Sequence, residues 1–175
     1  MNKRFVRNCT RLALVSLVTL TGIGAAQADP TCSKGILAGT PRINAQHIFC
    51  GEVSAPDVAK GFHSRPGGIN PDSVSNAPAG KHGADDVYTL KDFTIAEGAL
   101  SGTKSISTMF PDRCTETQVI AAVRNAYATK VQDALNKSKY VGSSGTECQK
   151  GTPAAAFDIV FYLNGDLINT AYPKP

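Results

Sequence analysis

The chain has 175 residues, with 18 Lys or Arg and 14 Asp or Glu, for a net charge of +4. This length suits one domain behind a leader and is too short for several large domains. Four of the basic residues, Lys3, Arg4, Arg7 and Arg11, lie in residues 1–28, which hold no acidic residue. Without that segment the charge is 14 minus 14, or zero. This balance excludes attraction of nucleic acid by a global positive field, so any such attraction must come from a local patch.

Residues 1–28 have the pattern of a secretory signal peptide. The basic residues are followed by an apolar run over residues 12–24 and by the small-residue cleavage site Ala26-Gln27-Ala28. The run is shorter than the roughly 20 residues that a membrane-spanning helix needs. We therefore expect a signal peptide at 1–28, a single domain at 29–175 and a periplasmic or secreted protein. No stable membrane association is expected after the signal is removed.

Four cysteines follow residue 28, namely Cys32, Cys50, Cys114 and Cys148. An even number of cysteines in an exported chain indicates disulfides, and four cysteines allow three pairings. We favour Cys32–Cys50 with Cys114–Cys148, in which an extended return from the end of a long helix just reaches Cys114. No CxxC or Cys/His cluster has the spacing of a zinc site, so no metal site is expected.

The N-terminal half gives weak signals of secondary structure. Over residues 36–52 the periodicity is poor, but a short helix is favoured, since one of its faces would carry Ile43, Gln46, His47 and Cys50. Residues 64–84 contain repeated Pro and Gly breakers and are predicted to form a loop. A loop of that length in a compact domain is usually functional or mobile.

The next segments give clearer signals. Residues 87–95 and 105–110 have the composition and alternation of strands. Thr115-Glu-Thr-Gln118 fits a capping box at the start of a helix. Apolar residues then recur at helical spacing and predict a helix over 116–137; they are Val119, Ile120, Val123, Tyr127, Val131 and Leu135.

The C-terminal segment is predicted to form a hairpin. Its strands would cover residues 157–163 and 167–172, with Asn164-Gly165 as the turn. Strands and helices are thus segregated along the chain. The expected fold is therefore α+β and ribonuclease-like: an antiparallel sheet packed with a long helix and a short N-terminal helical region, stabilised by disulfides.

His47 and His63 are the candidate chemical groups. Imidazole has an unperturbed pKa of about 6.5, so one copy can be a base while another is an acid at neutral pH. Cleavage of RNA by its own 2′-hydroxyl needs such a base, an acid for the 5′-oxygen and a group that stabilises charge on the phosphoryl oxygens. On spacing alone a surface role is the more common one for a loop histidine. His82, in a polar turn, is assigned no role.

Several segments together resemble the bacterial EndoU endoribonuclease family. They are Gln46-His47-Ile48 through Gly51-Glu52, Gly61-Phe62-His63, Lys104-Ser-Ile-Ser-Thr-Met-Phe-Pro111 and Ile168-Asn-Thr-Ala-Tyr-Pro173. The closing Thr-x-Tyr-Pro is also similar to the end of the coronavirus uridylate-specific endoribonuclease. Each motif is weak alone, but the segments come in the family's order over about residues 36–173.

The resemblance implies a role for five residues. His63 would be the general base on the 2′-hydroxyl, and His47 the general acid for the 5′-oxygen. Lys104, a looser match, would be the family's lysine, while Thr170 and Tyr172 would line the nucleotide pocket. The products would be a 2′,3′-cyclic phosphate and a 5′-hydroxyl, often with uridine preference. No cofactor would be required, with Mn²⁺ as an optional stimulant.

Three hypotheses follow for the function. The first is an exported endoribonuclease that acts on single-stranded RNA. The second is a non-catalytic exported binding module on the same fold, which the zero net charge and the loose match of Lys104 leave open. The third is a secreted antibacterial ribonuclease toxin, whose partners would include an immunity or inhibitor protein besides RNA. Cleavage assays distinguish the first hypothesis from the second. The third differs from the first only in the destination of the exported protein.

Overall fold

The computed structural model describes residues 32, 34–78 and 85–175. The predicted signal peptide at 1–28 lies outside the described residues, as do His82 and the last part of the predicted loop. Within the part of the chain that is described, no helix is both long and apolar enough to cross a membrane.

Short strands dominate the described residues, and one α-helix interrupts them. The strands are β1 (Ile36–Leu37), β2 (Arg42–Asn44), β3 (Glu52–Ala55), β4 (Val58–Lys60), β5 (Val74–Ser75), β6 (Tyr88–Glu97), β7 (Leu100–Met109), β8 (Val131–Gln132), β9 (Lys139–Ser143), β10 (Asp158–Asn164) and β11 (Leu167–Pro173). The helix α1 spans Glu116–Ala128, a π-helical turn spans Gln46–Cys50, and a 3₁₀ turn spans Pro66–Gly68.

The strands form three sheets. A six-stranded sheet has the order β1-β2-β11-β10-β9-β8, and its pairs are antiparallel except β11 with β2, which run parallel. β3 and β4 form a separate hairpin. β5, β6 and β7 form a three-stranded antiparallel sheet. The catalytic candidates lie where the hairpin, β7 and β11 approach one another.

Two hydrophobic clusters hold these sheets together. In the first, α1 packs on the six-stranded sheet through the buried Val119, Val123 and Ala126. Gly142 of β9 allows this close approach, because a Cβ there would lie 2.0 Å from the Ala126 carbonyl oxygen. The second cluster joins the three-stranded sheet to the hairpin and includes Phe62, which directly precedes His63.

The predicted α+β class is wrong. The described residues are 42% strand and 16% helical, and they form several sheets in place of one antiparallel sheet on a long helix. The error arose in the N-terminal half, where β1 to β5 have only two to four residues each. Strands of that length give no detectable alternation of apolar and polar residues.

The helix over 116–137 was predicted too long. The capping box at Thr115 and Gln118 is confirmed, but α1 ends at Ala128 after 13 residues. The apolar residues beyond it are not covered by the rest of the protein: Val131 begins the edge strand β8 and is 70% exposed, and Leu135 is 97% exposed. The Asp133 carboxylate instead accepts hydrogen bonds from the backbone of the next residues and forms a turn.

The remaining elements agree more closely with the sequence. The strands predicted at 87–95 and 105–110 are confirmed as β6 and β7, which are longer than predicted. The C-terminal hairpin is confirmed as β10 and β11, joined where Gly165 has a φ of 61°. The predicted short N-terminal helix is only the π-helical turn of five residues.

Both favoured disulfides are confirmed, since Cys32 is bonded to Cys50 and Cys114 to Cys148. The Cys114–Cys148 bond does not require a stretched chain between the end of α1 and Cys148. A helix of 13 residues is about 20 Å long, so the chain returns to Cys114 over a much shorter path than the predicted helix would require.

Candidate active site

The π-helical turn Gln46–Cys50 carries His47, which is 7% exposed. The turn is fixed at both ends. The Gly51 N–H donates to the Gln46 carbonyl at 3.0 Å, and the His47 N–H donates to the Asn44 side-chain oxygen at 3.1 Å. The disulfide from Cys50 then ties the end of the turn to the N-terminal segment at Cys32. The backbone of His47 is therefore held on both sides.

The His47 ring is paired with the Glu52 carboxylate, the first residue of β3. His47 Nδ1 lies 2.9 Å from Glu52 Oε2, and the other carboxylate oxygen accepts from Asn44 Nδ2 at 2.7 Å. The hydrogen bond from His47 lowers the pKa of Glu52 below its usual value, against the opposing effect of burial. An ionised Glu52 keeps the proton on Nδ1 and leaves Nε2 as the nitrogen that can exchange a proton with a substrate.

Backbone hydrogen bonds bring the second histidine to the first. The Phe62 N–H donates to the His47 carbonyl and the His63 N–H to the Ile48 carbonyl, both at 2.7 Å. Gly61 makes this contact possible, because its φ is +73° and a Cβ would lie 2.2 Å from the His47 oxygen. As a result, the centroids of the His47 and His63 rings are 5.7 Å apart.

The His63 ring has neutral partners. Its Nδ1 lies 3.0 Å from the Thr108 carbonyl and 2.9 Å from Ser107 Oγ. Since Ser107 Oγ donates to the Phe62 carbonyl at 2.6 Å, both neighbours of Nδ1 are acceptors. The proton therefore resides on Nδ1, and Nε2 carries the lone pair. Burial, followed by the charges of His47 and Lys104, lowers the pKa of His63 to about 3, so the ring is neutral at pH 7.

A buried cation secures the chain just beyond His63. The Arg65 guanidinium is fully buried and contacts the Tyr88 hydroxyl at 2.7 Å and the Asp112 carboxylate at 3.3 Å. Tyr88 also donates a short hydrogen bond to Asp112, and burial raises the pKa of Tyr88. A further bond from Arg65 to the Pro78 carbonyl holds the following loop. Arg65 therefore has a structural role behind the histidines.

An irregularity in the β6–β7 pair lets Lys104 and Ser107 line the same cleft. Residues three apart on a regular strand point to opposite faces. In the partner strand β6, Leu90 and Phe93 are both buried although they are three residues apart. The strand is irregular between them, because Asp92 has a φ of 53°. Lys104 and Ser107 consequently both line the cleft that the histidines share, and burial lowers the pKa of Lys104.

Thr170 and Tyr172 line the same cleft as Lys104. They are two residues apart on β11 and so project from one face of the six-stranded sheet. The centroid of the Tyr172 ring lies 5.2 Å from that of His63. Burial and then a hydrogen bond with Tyr162 raise the pKa of Tyr172 to about 12, which keeps its hydroxyl protonated.

These residues enclose a cleft of about 380 Å³. All five residues that the resemblance singles out line it; they are His47, His63, Lys104, Thr170 and Tyr172. The volume is at the low end for small-molecule sites, and the cleft can hold a nucleotide but only a short part of an RNA. No group of three or more His, Cys, Asp or Glu side chains among the described residues is arranged to hold a metal ion.

Sequence reasoning missed three polar residues of the cleft and its support. Glu52 and Ser107 lie within the motifs that carry the resemblance, but neither was assigned a role, although the position of Glu52 five residues after His47 was a usable signal. Lys60 gave no signal. The positions of Ser107 and Lys60 depend on how β7 and β4 pack, which residue spacing does not reveal.

Comparison with known proteins gives one match. The family model described as Bacterial EndoU nuclease matches residues 41–175. This range contains every residue of the cleft described above. No curated protein and no solved structure matches significantly.

Proposed function

The chain belongs to the bacterial EndoU nuclease family, and on this premise we propose that it is an exported endoribonuclease that cleaves single-stranded RNA near uridines. The observation that carries the proposal is the pair of histidine rings, 5.7 Å apart in one cleft. One ring has a carboxylate partner and the other only neutral acceptors. Groups in such unequal surroundings suit opposite roles in proton transfer.

In the proposed reaction His63 is the base. Its Nε2 takes the proton of the 2′-hydroxyl, and the 2′-oxygen attacks the neighbouring phosphorus. The bond from phosphorus to the 5′-oxygen breaks while His47 Nε2 gives that oxygen a proton. The products are a 2′,3′-cyclic phosphate and a 5′-hydroxyl, and solvent then restores the two protonation states. Each proton transfer contributes roughly 10²–10⁴-fold to the rate.

The other residues of the cleft would bind the substrate. The Lys104 ammonium is suited to neutralise charge that develops on the phosphoryl oxygens. Thr170 offers a hydroxyl to a base edge, and the Tyr172 ring offers a surface for a sugar or base. Such stacking contributes about 1–3 kcal/mol per base. A neutral Tyr172 hydroxyl, bonded to Tyr162, would hold that ring in place.

Export is the second part of the proposal. Residues 1–28 would be removed as a signal peptide, leaving one domain at 29–175 in the periplasm or outside the cell. Two disulfides support this location, because such bonds persist in oxidising compartments. Separation from the RNA of the producing cell would also limit damage by the enzyme.

A cleavage assay tests the proposal. The oxidised protein from residue 29 onward is incubated with a uridine-containing single-stranded RNA, in EDTA and in Mn²⁺, and the cut ends are identified. We expect cleavage in EDTA with cyclic phosphate and 5′-hydroxyl ends, and Mn²⁺ is expected at most to stimulate it.

Two matched RNAs make the assay decisive. Replacing the 2′-hydroxyl beside the cut with hydrogen should stop cleavage, whereas the same change at a distant nucleotide should not. Continued cleavage beside a 2′-deoxy position would contradict attack by the 2′-oxygen. A protein that leaves RNA intact but binds it would support a non-catalytic binding module instead.

A further inference from the structure

A second lysine lies at the edge of the cleft and has no part in the proposed chemistry. Lys60 is the last residue of β4, directly before the glycine that packs on His47. It lines the same cleft as Lys104 and both histidines. Unlike Lys104, which is half-buried, Lys60 is exposed. The cleft is thus lined by the half-buried ammonium of Lys104 and by the exposed ammonium of Lys60.

The backbone that carries Lys60 is fixed against the strand of Lys104. Gly102 of β7 permits this packing, because a Cβ there would meet the hairpin backbone at 2.9 Å, at Asp57 and Ala59. The Asp57 N–H also donates to the Ser101 carbonyl at 3.0 Å. The two lysines therefore project from closely packed strands, so their relative position does not depend on a mobile loop.

Neither lysine forms an ion pair within the described residues, where the ion pairs include neither Lys60 nor Lys104. Glu52 faces Lys60 across the hairpin. The pKa of Glu52 is lowered mainly by the hydrogen bond from His47 and least by the charge of Lys60, and its carboxylate oxygens are engaged by His47 and Asn44. The cleft is consequently a local positive patch on a chain whose charge beyond residue 28 is zero. Such a patch is what a substrate with more than one phosphate requires.

We propose that Lys60 binds a phosphate next to the one that is cleaved, so that the enzyme recognises at least two consecutive phosphates of its RNA. This inference rests on the proposed function. The half-buried Lys104 faces the reacting phosphate beside the histidines, and the exposed Lys60 receives the neighbouring phosphate where the strand leaves the cleft. Lys60 therefore strengthens binding, while the chemical step proceeds without it.

Dinucleotides with and without a terminal phosphate test this assignment. UpA contains only the phosphodiester to be cleaved, whereas pUpA and UpAp each add one phosphate on one side. For the unaltered enzyme, one of the two additions should raise kcat/KM about three- to fivefold, as expected for an exposed ionic contact. Lys60→Gln should abolish that gain and leave the rate on UpA nearly unchanged. Lys137→Gln, which removes an exposed lysine outside the cleft, should retain the gain.

Other outcomes overturn the assignment. A gain that persists in Lys60→Gln, or that is absent in the unaltered enzyme, would make Lys60 an ordinary surface lysine. An equal loss on all three substrates would place Lys60 at the reacting phosphate instead. Salt dependence gives a second readout, because each phosphate contact on a single strand changes the slope of log K against log salt by about 0.7.

Binding of 2′-deoxy dinucleotides separates this inference from the proposed function. These analogues cannot undergo the proposed cleavage, so their affinity reports phosphate recognition alone. If the protein cleaves no RNA, the proposed function fails, yet a Lys60-dependent gain in affinity from the added phosphate would still support the contact. If RNA is cleaved but that gain is independent of Lys60, only the inference fails.

Discussion

The two histidines of the cleft are only 5.7 Å apart, but their surroundings differ in kind. His47 sits on a π-helical turn fastened by a disulfide, and its Nδ1 faces a carboxylate. His63 sits on a segment without regular secondary structure, and its Nδ1 faces a carbonyl and a hydroxyl. The Nδ1 of the first ring thus has a charged partner, and the Nδ1 of the second has neutral acceptors.

The difference suits the two histidines to the two roles that we propose. A carboxylate stabilises a charged imidazolium, as a proton donor requires, whereas neutral acceptors and burial keep a ring uncharged, with a lone pair on Nε2. The residues that create this asymmetry, Glu52 and Ser107, need not touch the substrate. We therefore expect changes to His47, its disulfide anchor or its carboxylate partner to differ in effect from changes to the buried ring of His63.

Removal of either ring should have the largest effect. His63→Ala and His47→Ala should each reduce cleavage of RNA roughly 10²–10⁴-fold, since each loses one proton transfer. The measurement is kcat/KM on a uridine-containing RNA, with melting curves to show that both variants are folded. Folded variants that cut at the normal rate would remove both residues from the reaction.

Removal of the disulfide that anchors the turn of His47 should have the second largest effect. The Cys32–Cys50 bond closes a separation of 18 residues, for which loop entropy gives about 3 kcal/mol of stability. The Cys32→Ser, Cys50→Ser double variant should lose about that much free energy of unfolding in urea. It should also lose activity at temperatures where it remains folded, because the turn of His47 is loosened.

The other disulfide provides the matched control. It lies at the start of α1, and neither Cys114 nor Cys148 is among the residues that line the cleft. Removing Cys114–Cys148 should lower stability but leave the activity of the folded fraction unchanged. Equal loss of activity in both double variants would argue against a specific anchor for His47.

The carboxylate partner should have a smaller effect. Glu52→Gln keeps a hydrogen-bonding side chain but removes the charge beside His47, and should reduce kcat about 10–100-fold, as loss of a partner that orients a histidine does elsewhere. Asp57→Asn is the control, because it removes one exposed negative charge at the tip of the same hairpin. If Asp57→Asn lowers kcat as much, general electrostatics explain the result.

Burial of His63 should produce the smallest effect, a pH-dependent stability. The pKa of His63 is about 3 in the folded chain and about 6.5 when unfolded. Between these values the unfolded chain binds a proton that the folded chain does not, so the free energy of unfolding falls as pH falls. The contribution is at most about 1.4 kcal/mol per pH unit.

Urea unfolding between pH 7 and 5 measures this contribution. His63→Gln should show a flatter decline than the unaltered chain. The lowered pKa of Glu52 also costs stability as pH falls, but only below the usual carboxyl range near 4.5. Identical slopes for both proteins above pH 5 would mean that His63 is not buried as a neutral ring.

Local sequence signals predicted some elements well. The capping box fixed the start of α1, and Asn164-Gly165 fixed the C-terminal hairpin, because both depend on residues close in the chain. The end of α1 was not predictable in the same way. Helical spacing continues through Val131 and Leu135, but Val131 begins the edge strand β8 and both side chains are exposed, because burial depends on distant strands.

The candidate site shows the same limit. The motifs contained His47, His63, Lys104, Thr170 and Tyr172, and these residues line one cleft; their roles remain predictions. The residues that position the histidines were not predicted, because their places depend on packing. Ser107 contacts His63 because β7 lies beside the segment that contains Phe62.

The central claim is that His63 acts as the base and His47 as the acid, and a change of leaving group tests it most directly. Uridine 3′-(4-nitrophenyl phosphate) releases a phenolate that needs little help from an acid. On this substrate His47→Ala should regain most of the unaltered enzyme's rate, although it fails on RNA. His63→Ala should fail on both substrates. Recovery of His63→Ala in place of His47→Ala, or equal failure of both variants, would contradict the assigned roles.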